Sequence, residues 1–165
     1  MTAQPQTSRT DLDRLADLAR RKGLRIAVAE SLTSGLLAST LGAGPSAEEW
    51  FGGGVVAYQT EIKQNVLGLE PGVDPCSPTC AQQLARAVRE LFDADIAVST
   101  TGIGGPDPQD GHEPGTVYLG WSSRAETAHL LLHIDGGPEK VLEDAVAQAV
   151  RLLTVQAIGA ERVGD

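Results

Sequence analysis

Three short segments join hydroxyl side chains or runs of glycine to apolar stretches: Glu30-Ser-Leu-Thr-Ser-Gly35, Gly52-Gly-Gly54 and Thr101-Gly-Ile-Gly-Gly-Pro106. Hydroxyls supply nucleophiles and hydrogen-bond partners, and glycine lets backbone N–H groups approach a ligand closely. Ligands of open α/β sheets gather where strand-end loops converge, so the three segments are expected to share one pocket. The first runs straight into a helical pattern, Leu36-Leu-Ala-Ser-Thr-Leu-Gly42, whose N-terminal N–H groups would suit a phosphate. Taken singly, each segment reads as plainly as a turn that glycine permits. None is a G-x-G-x-x-G or G-x-x-x-x-G-K-[ST] motif, so a dinucleotide or nucleoside triphosphate site has no motif support.

Cysteine and histidine offer less. Cys76 and Cys80 stand in Pro75-Cys-Ser-Pro-Thr-Cys80, a spacing open to two metal ligands or one disulfide. His112, His129 and His133 form no ligand motif with them, so two ordinary thiols and no metal are expected.

The elements that must position these segments follow from periodicity. Leu12, Leu15, Leu18 and Ala19 mark a helix over about residues 9 to 22, with Asp11 and Asp13 near its start and Gly23 at its end. Residues 25 to 30 read as a buried strand, Val55 to Tyr58 as a second beginning after the three glycines, and Asp95 to Thr100 as a third. Ala81, Leu84, Ala85, Val88 and Leu91 recur at helical spacing between the second and third strands. Thr116 to Trp121 and about Ala128 to Ile134 form a hairpin through the polar 122–126 segment, and a last helix carries Val141, Ala145, Val146, Ala149, Leu152 and Leu153. Helices alternating with strands and then strands in succession predict an α/β fold: a single-domain mixed β-sheet covered by helices.

The chain has 165 residues, 41% of them hydrophobic, which suits one domain with its own core, expected over residues 9–160 after a flexible tail at 1–8. A net charge of −9 with no Lys/Arg cluster argues against a nucleic-acid partner. The polar N-terminus and the lack of any long apolar run argue against a membrane, and a cytoplasmic location is expected.

Five spaced motifs together carry a more specific signal. They are Val28-Ala-Glu-Ser-Leu-Thr-Ser-Gly35, Phe51-Gly-Gly-Gly-Val-Val-Ala-Tyr58 with Lys63 five residues on, Leu67-Gly68 with Ser77 beyond it, Thr101 to Pro106, and Pro114-Gly-Thr-Val-Tyr118. In order and spacing the chain resembles the CinA C-terminal domain family, of the nicotinamide-nucleotide deamidase type, over roughly residues 10 to 155. The resemblance implies a CinA C-terminal-like α/β/α fold and an amidohydrolase converting nicotinamide mononucleotide and water to nicotinic acid mononucleotide and ammonia, with no cofactor and no metal. Its partner is then a small-molecule pyridine nucleotide. It implies Lys63 as catalytic lysine beside Tyr58, and a pocket drawn from Ser31, Thr33, Gly35, Gly53, Thr101, Gly102, Gly105, Gly115 and Thr116. Fuller members carry a further domain ahead of this one, so a standalone protein is expected here, and exposed strand edges suit a homo-oligomer.

Two stretches depart from the family pattern. Where the family reads P-G-S-S-x-x-F, with the second serine as nucleophile, this chain has Pro45-Ser-Ala-Glu-Glu-Trp-Phe51, which puts Glu48 at that position and leaves Ser46 as the nearest hydroxyl. A carboxylate against Lys63 would hold the lysine protonated, the opposite of what a general base needs. Where the family reads G-D-R-x-x-V-R, with arginines suited to a phosphate, this chain has Gly136-Gly-Pro-Glu-Lys-Val-Leu142. Two functions therefore stand side by side: an amidohydrolase using Lys63 with Ser46 or Ser31, and a catalytically degenerate paralogue that binds a nucleotide or regulates without hydrolysis.

Overall fold

The computed structural model describes residues 8–160. Five strands form one sheet in the order β2-β1-β3-β4-β5. They are β1 (Ile26–Glu30), β2 (Phe51–Val56), β3 (Ile96–Gly102), β4 (Thr116–Ser123) and β5 (Thr127–His133). The pairs β1/β2 and β1/β3 are parallel, β3/β4 and β4/β5 antiparallel, so the predicted mixed sheet and its terminal hairpin are present.

Alternation along the strands sorts the core into two unequal layers. Ile26, Val28, Ile96, Val98, Val117 and Leu119 face one side, where they bury against α1 (Arg9–Lys22), α2 (Leu36–Gly42) and α5 (Pro138–Gly159). Ala27, Ala29 and Ala97 face the other, against α3 (Thr60–Leu67) and α4 (Pro78–Leu91). Small residues on that second face bring α4 close to the sheet. Ser99 Oγ donates to the Ala81 carbonyl at 2.5 Å, and a Cβ on Gly120 would run into that same carbonyl.

The helix ends use the chemistry their sequences offer. Ser8, counted with the tail in the sequence reading, is the N-cap of α1 and accepts from Asp11 N at 3.0 Å, while Gly23 closes the helix in the left-handed region. The remainder of the expected tail, residues 1–7, lies outside the described residues. Ser77 caps α4 with Pro78 behind it.

Two expectations need correction. The second strand starts at Phe51 rather than Val55, so the three glycines are strand residues and Ala57 and Tyr58 lie past its end. Gly54 is where β1 comes closest, because a Cβ there would meet the Val28 side chain at 2.6 Å. Helix α3, which carries Lys63, was not foreseen; its eight residues, Thr-Glu-Ile-Lys-Gln-Asn-Val-Leu, bury only Lys63 and Leu67 and give little apolar rhythm.

Candidate active site

Strands β1 and β3 run parallel and deliver their C-terminal ends side by side, Glu30 opposite Thr100. The chain leaves β1 through Ser31, whose N–H still donates to the Thr100 carbonyl at 2.9 Å. Glu30, only 1% exposed, turns back under the loop. Its carboxylate accepts from Thr33 Oγ1 at 2.6 Å and from the N–H groups of Leu37 and Ala38 at 2.7 and 3.0 Å, and Thr33 Oγ1 also meets Thr100 Oγ1 at 2.7 Å. The carboxylate thus takes the place at the α2 N-terminus that the sequence reading offered to a phosphate. Thr33 is buried in this network and braces the loop rather than facing a ligand.

Over these strand ends lies a cavity of about 350 Å³. Ser31 enters it 9% exposed, and among the described residues its hydroxyl has no hydrogen-bond partner. Lys63 reaches the same cavity from the first turn of α3, 2% exposed, with Nζ donating to the Tyr58 carbonyl at 2.7 Å. Burial holds its pKa below the ordinary 10.5, opposed in part by attraction to the Cys80 thiol. No carboxylate pairs with it among the described residues, so burial favours the neutral amine more than it would for a solvated lysine.

The remaining walls come from the segments before α4 and after β3. Asp74 Oδ2 accepts from His112 Nε2 at 2.7 Å and its Oδ1 from Cys76 N at 2.9 Å. Partial burial raises the Asp74 pKa, but these bonds and the His112 charge outweigh it and leave the carboxyl below its usual range. Thr101 Oγ1 donates to the Pro75 carbonyl at 2.5 Å and ties the two segments together. Gly104 and Gly105 also line the cavity, and among the described residues their N–H groups have no backbone acceptor. Cys76 and Cys80 are free and buried; burial pushes both thiols up to about 11, too high for a ready nucleophile. Among the described residues no three His, Cys, Asp or Glu side chains gather as a metal site.

Of the residues expected to act, the cavity collects Ser31, Tyr58, Lys63, Thr101, Gly102 and Gly105. Tyr58 stands at its mouth, 68% exposed, and meets Lys63 through its carbonyl rather than its phenol. Ser46 is not brought there. It caps a 3₁₀ turn at Ala47–Glu49 before β2, whereas Lys63 follows β2, and a strand of six residues separates the two by roughly 20 Å. Glu48 sits on the same turn, exposed to solvent, so the carboxylate at the family's serine position is not an ion-pair partner of Lys63.

Four other expected pocket residues stand apart from the cavity lining. Gly35 faces Val56, and Gly53 lies mid-strand against the Phe92 ring. Gly115, at φ +85°, is required by the close passage of the Ile134 backbone, and Thr116 opens β4 with its carbonyl bound to Ile103 N. The convergence of three glycine segments is therefore a convergence of two, the loops after β1 and β3. Sequence reasoning missed the Asp74–His112 pair. Its signal was the Asp110-Gly111 dipeptide: Gln109 and His112 exchange both backbone hydrogen bonds around it, and both turn residues have positive φ, the geometry of a tight hairpin turn.

A three-layer α/β/α domain with a strand-end cavity holding a buried lysine and a free serine defines the class. The comparisons narrow it: residues 9–156 match the model of the CinA C-terminal domain, and the chain belongs to that family. It is 40% identical over 126 residues to a Bacillus subtilis (strain 168) protein named as competence-damage inducible, and 45% identical over 119 residues to one so named from Geobacillus kaustophilus (strain HTA426). Those alignments take in 74% and 68% of this chain but 30% and 29% of the relatives, so the chain spans about a third of their length. A CinA superfamily crystal structure from Klebsiella pneumoniae 700603 superposes with a TM-score of 0.88 at 29% identity, covering 92% of this chain and 98% of that one. One from Escherichia coli gives 0.87 at 28% identity, covering 96% and 94%.

Proposed function

We propose that the chain hydrolyses the carboxamide of nicotinamide mononucleotide or of a related compound, with Ser31 as nucleophile and Lys63 as general base. One observation carries this reading: a lysine buried without a carboxylate partner shares a cavity with a serine whose hydroxyl is unclaimed. Neutral Lys63 Nζ takes the Ser31 proton as Oγ attacks the amide carbon. The N–H groups of Gly104 and Gly105 are available to the tetrahedral oxyanion. The proton then passes to the departing nitrogen and ammonia leaves an ester on Ser31. Water attacks that ester, giving one proton to Lys63, which returns it to Ser31 as the carboxylic acid departs and ionises into solvent.

Family membership supports the reading, as does the retention of Lys63 and the loops after β1 and β3. A second reading, a pocket that binds without hydrolysis, is favoured by the position of Ser46 and Glu48 at the far end of β2 from Lys63, which leaves neither residue at the cavity. Ammonia release from a panel of carboxamides that includes nicotinamide mononucleotide, followed in metal-free buffer, separates the two. Turnover supports hydrolysis, and saturable binding with no ammonia supports the second reading.

A further inference from the structure

The charges around the cavity are uneven. Three aspartates line it, Asp74, Asp107 and Asp110, against two basic side chains, Lys63 and His112, and no arginine. His112 is already paired with Asp74. Lys63 must be neutral to act as a base, so it offers no lasting charge to a bound anion.

Two other places could welcome an anion, the heads of α5 and α2, and neither offers a free cation. At the head of α5, whose Pro138 and Leu142 line the cavity, the Lys140 ammonium pairs with the carboxylate of Asp144, a buried partner one turn along the helix. At the head of α2, the Glu30 carboxylate binds the Leu37 and Ala38 N–H groups. Asp107 and Asp110 are both exposed, in the segment between β3 and β4, so their charges stand at the mouth in the path of an entering substrate.

Resting on the amidohydrolase reading, we infer that this cavity selects carboxamides free of anionic groups, a cationic ring amide above all, and discriminates against the phosphorylated form of the same molecule. Two carboxylates at the mouth attract a pyridinium-type cation and repel a phosphate over distances within the screening length of the buffer.

Nicotinamide riboside, a cation, and its 5′-phosphate, a net anion, differ only in the phosphate and make a matched pair of probes. Calorimetric binding and ammonia release are measured for both, with the intact chain and with an Asp107→Asn/Asp110→Asn variant, at low and high salt. The expected result is riboside binding about tenfold tighter than its phosphate at low salt, with the ratio falling towards one in the variant and in high salt. Equal or tighter binding of the phosphate overturns the inference, as does a ratio indifferent to the two substitutions or failure of both probes to bind. Should the binding ratio hold without ammonia release, the charge selection stands and the amidohydrolase reading fails; should both probes release ammonia with equal efficiency, the reverse is true.

Discussion

Lys63 is the residue on which the account turns, and its burial has two measurable consequences. Under the proposed hydrolysis, base function needs the neutral amine, so kcat/KM is expected to rise with pH through the lowered pKa of Lys63 and to level off above it. Stability carries the matching signature. The folded chain binds fewer protons than the unfolded chain between the lowered value and the ordinary 10.5, so folding stability rises with pH across that window, and the cost of the buried charge is present in full below it. Lys63→Met accordingly raises Tm at neutral pH, by an amount that shrinks as pH approaches 10.5, while removing turnover by about 100-fold or more; thermal melts across pH check the first and ammonia assays the second. The thiols supply a control. With both held near 11 by burial, Cys76 and Cys80 in the folded chain react with a thiol reagent at pH 8 far more slowly than in the unfolded chain, and equal rates would contradict their placement.

Among elements, the loop after β1 shows how the site is held. The Glu30 carboxylate binds two N–H groups of α2 and fixes Thr33 at the same time. Glu30→Ala strands those buried donors and lowers stability by about 3 kcal/mol, with turnover falling because Ser31 loses its support; denaturant melts and ammonia assays on one preparation read both. Close approach of α4 to the sheet is the other constraint: Gly120→Ala sets a methyl against the Ala81 carbonyl and costs about 2 kcal/mol by the same melts. Much of this layer was legible. The helix at Arg9–Lys22 and the hairpin of β4 and β5 follow from apolar spacing, Gly23 and the polar turn. The start of β2 was not, because three glycines signal a loop when their neighbours are unknown, and only the Val28 side chain packed over Gly54 explains glycine inside a strand. Nor was α3, whose buried polar residue, Lys63, breaks the apolar rhythm that marks a helix.

At the scale of the whole molecule, the sheet order decides which sequence segments meet. Placing β1 beside β3 joins the loops after Glu30 and Gly102, two of the three segments expected to converge as strand-end loops. The same order puts the start of β2 at the opposite end from Lys63, which is why neither Ser46 nor Glu48 meets the lysine as the sequence alone suggested. Distance along a chain says little about which end of a strand a residue occupies. Net charge was legible as a total, −9, and as an argument against nucleic acid. Its concentration at the cavity mouth depends on how the segment between β3 and β4 folds over the strand ends, and no count of aspartates reveals it.

The most direct test compares ammonia release by the intact chain with that of Ser31→Ala, Ser46→Ala and Lys63→Ala, each first shown to melt as a folded protein. Ser31→Ala and Lys63→Ala are each expected to lose activity by about 100-fold or more while Ser46→Ala keeps it. Activity surviving in Ser31→Ala, or vanishing in Ser46→Ala, would contradict this expectation.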